Sequence, residues 1–145
     1  MNNVLKVMEY NEELKKLSSS FFCGNQYIDN FLKSNESLES DICKTFVLTD
    51  DNGEEIIGFF SLCSDAVYEN LGTKREHIYY LGGAVRIYMF AIDKKYQDQN
   101  IRQNVKLKYA SFLLLFCLNM IFDIVSNYIG VTFVVLHSTK EGLKL

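Results

Sequence analysis

Apolar runs separated by polar breaks assign most of the chain to elements. Val4 to Met8 has strand-like content, and Glu12 to Leu17 places Leu14 and Leu17 three apart, as in a short amphipathic helix. Gly24 and Asn25 interrupt the chain. Asn25 is suited to cap a second helix, in which Ile28, Phe31 and Leu32 share a face. Ser34 to Asp41 is polar and predicts a loop. Thr45–Thr49 and Ile56–Leu62 flank Asp50-Asp51-Asn52-Gly53, the strongest short-range signal of a β-hairpin. Both runs are almost continuously apolar, which predicts cover on both faces. From Asp65 the pattern is mixed, and Gly82 and Gly83 predict a loop. Ala84–Ile92 predicts a strand, Asp93–Asn100 a polar connection, and Ile101 to about Ser126 a long helix. Gly130 stops that helix, and Val131–Leu136 predicts a final strand.

The last three elements form a strand–helix–strand unit, whose strands must be parallel and whose crossover is right-handed. The order α, α, ββ, β, α, β then predicts an α/β chain with a mixed α+β sheet and helices on both faces. A chain of 145 residues has room for one domain of ordinary size, residues 1–145. With 48% apolar and 23% charged residues the composition is globular. A net charge of −3 disfavours a nucleic-acid-binding module, which carries a basic excess. Cys23, Cys43, Cys63 and Cys117 form no CxxC pair, and His77 and His137 are the only histidines. No spaced metal-ligand set results, and free thiols in a reducing, cytoplasmic setting are expected. The N-terminus lacks the apolar core of a secretory signal. The uncharged run Tyr109–Phe122 is shorter than the ~20 residues a membrane span needs, so a buried core helix and no membrane association are expected.

In a strand–helix–strand unit, ligands collect beyond the carboxyl end of the first strand. Here that is Asp93–Asn100 and the first turn of the following helix, whose unpaired N–H groups suit a phosphate. Arg102 and Lys106 add positive charge nearby.

The run FAIDKKYQDQNI, Phe90 to Ile101, resembles the acyl-CoA-binding motif of the GNAT superfamily of N-acetyltransferases. There a Leu-Ala-Val-Asp-like strand end precedes a Tyr-Gln-Gly-x-Gly-x-Gly-like loop. FFCGNQYIDNFL, Phe21 to Leu32, is similar to the Phe-x-Cys-Gly-x-x-x-Leu-Asp-x-Phe-Leu element of the branch that includes toxin–antitoxin acetyltransferases. KTFVLTD, IIGFFSL and IGVTFVVL resemble the strands of that branch in the same order. The resemblance implies a GNAT-like acyl-CoA N-acyltransferase fold with acetyl-CoA as co-substrate. Backbone groups of Phe90, Ala91 and Ile92 would hold the pantetheine arm. Amides of Gln97, Asp98, Gln99, Asn100, Ile101 and Arg102 would cradle the pyrophosphate. The parallel strands would splay to admit the thioester, and an amine would attack its carbonyl. The acceptor is open: a small molecule, a protein amine or an aminoacyl-tRNA.

Two departures stand beside the match. The three loop positions where the family uses glycine are Asp98, Asn100 and Arg102. The family also continues past the second parallel strand with a helix, a Phe-Tyr-x-x-x-Gly-Phe segment and final strands, and its Tyr serves as general acid. Here Ser138–Leu145 would begin that helix, so a fold lacking the last strands is expected, with no general acid assigned. The strand Val131–Leu136 would then be an open apolar edge, which predicts a homodimer or larger assembly. A catalytically impaired protein that binds or oligomerises is the alternative. Asp65, Glu69, Glu76 and His77 fall where the fold places acceptor-side groups, and His137 follows a strand end. Each is also consistent with a solvated surface residue, and Cys63 and Cys117 read as packing residues.

Overall fold

A computed structural model describes residues 5–39, 41–72 and 77–138. The order is β1 (Lys6–Glu9), α1 (Glu12–Lys15), α2 (Gln26–Lys33), β2 (Lys44–Thr49), β3 (Ile56–Asn70), β4 (Ile78–Ile92), β5 (Asn100–Arg102), β6 (Val105–Lys108), α3 (Tyr109–Asn127) and β7 (Phe133–Leu136). A 3₁₀ stretch, Lys16–Ser20, continues α1. The main sheet has the order β1-β2-β3-β4-β7. Its first three pairings are antiparallel, and β4 and β7 are parallel, as the crossover helix between them requires.

Local signals explain most of these elements. The Asn25 side chain accepts from the Tyr27 and Ile28 amides at 3.1 and 3.3 Å, satisfying donors that the first turn of α2 leaves unpaired. Asn11 does the same for α1. The Asp50–Gly53 turn closes the β2–β3 hairpin, with Gly53 at φ +72° and the Asp50 carboxylate accepting from the Glu54 and Glu55 amides.

Both faces of the central strands are covered. On one, Phe21, Phe31 and Leu32 pack on Val47, Phe59, Met89 and Ala91. On the other, Leu113, Cys117 and Ile121 of α3 pack on Leu48, Ile57, Phe60, Ile87 and Ile92. Gly58 brings α3 close: a Cβ there would lie 2.8 Å from the Ala91 carbonyl oxygen and 3.0 Å from Leu113.

Three expectations are corrected. Gly82 and Gly83 are not a loop but lie within β4, opposite Val67 and Ala66. Gly82 is needed for close approach, because a Cβ would meet Thr132 Oγ1 at 2.8 Å. The long helix begins at Tyr109 rather than Ile101, and the intervening residues form the β5–β6 hairpin. Finally, α3 is buried along one stripe only, with Leu115, Leu118 and Phe122 exposed. By length and composition α3 could cross a membrane. In this fold, however, its buried stripe forms part of the second core. Leu118, Phe122 and Val125 also line an open apolar cavity of about 250 Å³ against Val131, Phe133 and Val134. Among the described residues β7 is one of the sheet's two edge strands, with β1 at the other side. Glu76 and the expected helix beyond Ser138 lie outside the described residues.

Candidate functional site

The site is built where β4 and β7 part. Their parallel pairing runs from Ala84 with Phe133 to Ile87 with Leu136 and stops there. At that point β4 carries a bulge: Ser61 faces Met89 but Leu62 faces Ile87, so Tyr88 is the extra residue. A bulge bends its strand and disrupts the ladder locally. Beyond it, no described strand pairs with the outer edge of Tyr88–Ile92.

The register decides which groups that edge offers. Asp93 donates its amide to the Ile57 carbonyl at 2.8 Å, so the Asp93–Ile57 pair is hydrogen-bonded. In an antiparallel ladder such pairs alternate with unbonded ones. Ala91 opposite Phe59 is therefore turned toward β3, whereas Phe90 and Ile92 turn their backbone groups outward. The Ile92 carbonyl already accepts from Gln97 Nε2 at 2.9 Å.

After Ile92 the chain forms a tight loop. The amides of Gln97 and Gln99 donate within it, to the carbonyls of Asp93 and Tyr96. Asp98 has φ +61°, the left-handed conformation for which the family's glycine is suited and which Asp tolerates better than most residues. Its carboxylate meets Lys108 Nζ at 2.7 Å, and this contact holds its pKa below the usual carboxylate range. A carboxylate near a pyrophosphate is repulsive when bare, and here a cation accompanies it. Asn100 and Arg102 lie on β5, paired with Lys108 and Val105, and Ile101 sits half-buried between them. The start of α3 is displaced to Tyr109, whose amide donates to the Gln99 carbonyl at 3.1 Å. Lys106 is exposed on β6. Below the loop, Glu55 accepts from Lys95 at 2.9 Å and from the Tyr96 hydroxyl at 3.1 Å, which lowers its pKa. Burial, then Glu55, pushes the Tyr96 phenol up to about 12.

Asp93 is a functional candidate that sequence reasoning passed over. It is 5% exposed, and its two carboxylate oxygens accept from the amides of Phe22 and Lys95, each at 2.9 Å. Lys94 donates its amide to the Phe22 carbonyl at 2.8 Å, and Gln97 Nε2 reaches the Cys23 carbonyl at 2.8 Å. The Cys23 amide is held by Asp29. The two sequence elements that carry the resemblance, 71 residues apart at Phe22 and Asp93, are thus one hydrogen-bonded unit. The signal was their joint occurrence.

The remaining candidates do not join this cluster. Asp65 pairs with Arg86 at 2.5 Å, and Glu69, His77 and His137 are exposed. All four cysteines are free, and burial is the leading cause that raises each thiol pKa, to about 11 at Cys23 and about 12 at Cys117. A protonated thiol is a poor nucleophile, so none suits covalent catalysis. Among the described residues no cluster of His, Cys, Asp or Glu is arranged for a metal ion.

A mixed sheet whose parallel strands separate at a bulge is a GNAT-like fold, shared with solved toxin structures. Solved structures of toxins with this architecture match nearly the whole chain. AtaTR bound with AcCoA matches with a TM-score of 0.77 at 15% identity, over 99% of this chain and 83% of that one. AtaT complexed with acetyl-methionyl-tRNAfMet matches at 0.72 and 17%, over 95% and 80%. An AtaT mutant bound to the C-terminus of the antitoxin AtaR matches at 0.67 and 14%, over 98% and 79%. In sequence, 51 residues are 35% identical to a probable toxin TacT of Sinorhizobium fredii strain NGR234, spanning 34% of this chain and 28% of that protein. No family model matches the chain. The resemblance read from the sequence to the toxin branch thus holds for the fold.

Proposed function

We propose that this protein is an acetyl-CoA-dependent N-acetyltransferase. The observation that carries this reading is the opening of β4 from β7 at the Tyr88 bulge, which leaves outward backbone groups at Phe90 and Ile92. An extended amide-bearing chain such as pantetheine can pair with such an edge. The loop at Asp93–Gln99 would receive the phosphates, with Lys94 and Lys95 exposed on it and the Asp98 carboxylate countered by Lys108. A neutral amine would attack the acetyl carbonyl. The C–N bond forms, the C–S bond breaks, the nitrogen sheds one proton, and CoA leaves as a thiolate that takes up one.

The acceptor is proposed as an amine, with an aminoacyl-tRNA as one candidate because AtaT is found with acetyl-methionyl-tRNAfMet. A homo-oligomer is proposed from the open β7 edge, and a peptide partner from the AtaR complex. One set of observations favours a second reading, a protein of this fold that binds without turnover. The β5–β6 hairpin displaces the helix start, and the Gln97 and Gln99 amides are already engaged.

Thermal unfolding with acetyl-CoA separates the two. At a hundredfold excess over Kd, binding stabilises by about 2.7 kcal/mol, a rise in Tm on the order of 5–10 °C. Absence of any shift at millimolar acetyl-CoA overturns the enzyme reading.

A further inference from the structure

The contacts between Phe22–Cys23 and Asp93–Gln97 form a clip with three backbone-directed hydrogen bonds across it. Phe22 donates its amide to Asp93, Lys94 donates its amide to the Phe22 carbonyl, and Gln97 donates to the Cys23 carbonyl. Lys94 Nζ also lies 5.6 Å from the centroid of the Phe22 ring. The clip adds hydrogen bonds to a contact that the first core also makes, through Phe21 and Phe31 on Met89 and Ala91. On one side is the connection between the 3₁₀ stretch and α2, which packs on the first core through Phe21. On the other is the loop that follows the open end of β4.

The parts differ in how they are held. The Cys23 amide is fixed by Asp29 at 2.8 Å, a residue of α2 itself. The Phe22 amide is fixed only across the clip, by Asp93 at 2.9 Å. Gly24, next in the chain, has φ +94° and is exposed, a place where the connection can hinge. Asp93 is buried, so its bonds to the Phe22 and Lys95 amides are shielded from solvent.

We infer that Asp93 is a positioning residue that couples occupancy of the β4–loop site to the order of the Phe22–Gly24 connection, and thereby to the sheet face that carries α2. The inference rests on the acetyl-CoA reading of that site. A ligand that fixes the loop removes the fluctuations by which Asp93 and Gln97 release Phe22 and Cys23. Order gained on one side of a clip is transmitted to the other through its hydrogen bonds.

Amide hydrogen exchange at Cys23 tests this directly. Its own hydrogen bond goes to Asp29 and is unaltered by changes at Asp93, so its exchange reports opening of the whole connection. In the wild-type protein, saturating acetyl-CoA should slow Cys23 exchange about tenfold, a modest value among measured couplings. Asp93→Asn, still binding acetyl-CoA by calorimetry, should lose that slowing. Gln97→Leu changes an exposed side chain, preserves the core, and should lose part of it, so the test survives if Asp93→Asn does not fold. Acetyl-CoA binding with unchanged Cys23 exchange in the wild type overturns the coupling while leaving the site intact. Equal slowing in wild type and both variants also overturns it. Failure of the wild type to bind acetyl-CoA overturns the reading of the site and the coupling with it.

Discussion

Strand β4 is 15 residues long, and its two ends are built to opposite plans. At Met89–Ile92 most side chains are buried under both cores, while the backbone edge is open beyond the bulge. At Ile78–Leu81 four large apolar side chains are exposed, Tyr80 at 63%, and the strand forms an arm with the end of β3, Tyr68 stacking edge-on against Tyr80. Both ends are apolar and aromatic in sequence. One has covered faces and an open edge, the arrangement proposed to take a ligand. The other has its side chains uncovered. What differs is the cover, supplied by α2 on one side and α3 on the other, and both stop short of the arm.

Substitutions should separate the ends sharply. Leu113 of α3 is fully buried beneath the site end, and Leu113→Ala should cost about 2–5 kcal/mol in urea unfolding. Gly58 has Ala91, Ile92 and Leu113 where a Cβ would be. Gly58→Ala should cost about 1–3 kcal/mol by overpacking, and a neutral result would show that α3 is free to move off the sheet. At the other end, Tyr80→Ser should stay within about 0.5 kcal/mol of wild type. A loss as large as that of Leu113→Ala would mean that the arm is part of a core, and the contrast would fail. The smallest effect is electrostatic. The folded pKa of Asp98 is depressed by Lys108, so the pair's contribution is present above the unfolded carboxylate pKa and fades as pH falls through the lower folded value. An NMR titration of the Asp98 carboxyl carbon should give a midpoint below 3.8, and Lys108→Ala should return it toward that value.

Much of the fold was legible because local physics dictates it. Asn25 caps α2 as its side chain allows, the Asp50–Gly53 turn joins two strands, and the parallel β4–β7 pair follows from the helix between them. The β5–β6 hairpin lies where the apolar pattern predicts a continuous helix from Ile101. The sequence held a contrary signal: Val105, Lys106, Leu107 and Lys108 alternate with the period of two that marks a strand. Gly82 and Gly83 read as a loop because glycine is usually punctuation. Here Gly82 makes room for Thr132 across the sheet, a contact between residues 50 apart that no local window contains. Of the site, the strand end and loop could be placed from sequence. The outward turn of Phe90 and Ile92, the inward turn of Ala91, and the clip at Asp93 depend on register and tertiary packing. They became visible only once β3 and the Phe22 connection were beside β4.

The proposed site places acetyl-CoA along the open edge of β4. The measurement closest to it is a backbone amide NMR titration with acetyl-CoA. The resonances of Phe90, Ile92 and Asp98 should move in a saturable way, while those of Tyr79, Tyr80 and Leu81 on the same strand stay in place. Saturable movement confined to the arm, or none at either end at millimolar ligand, would contradict it.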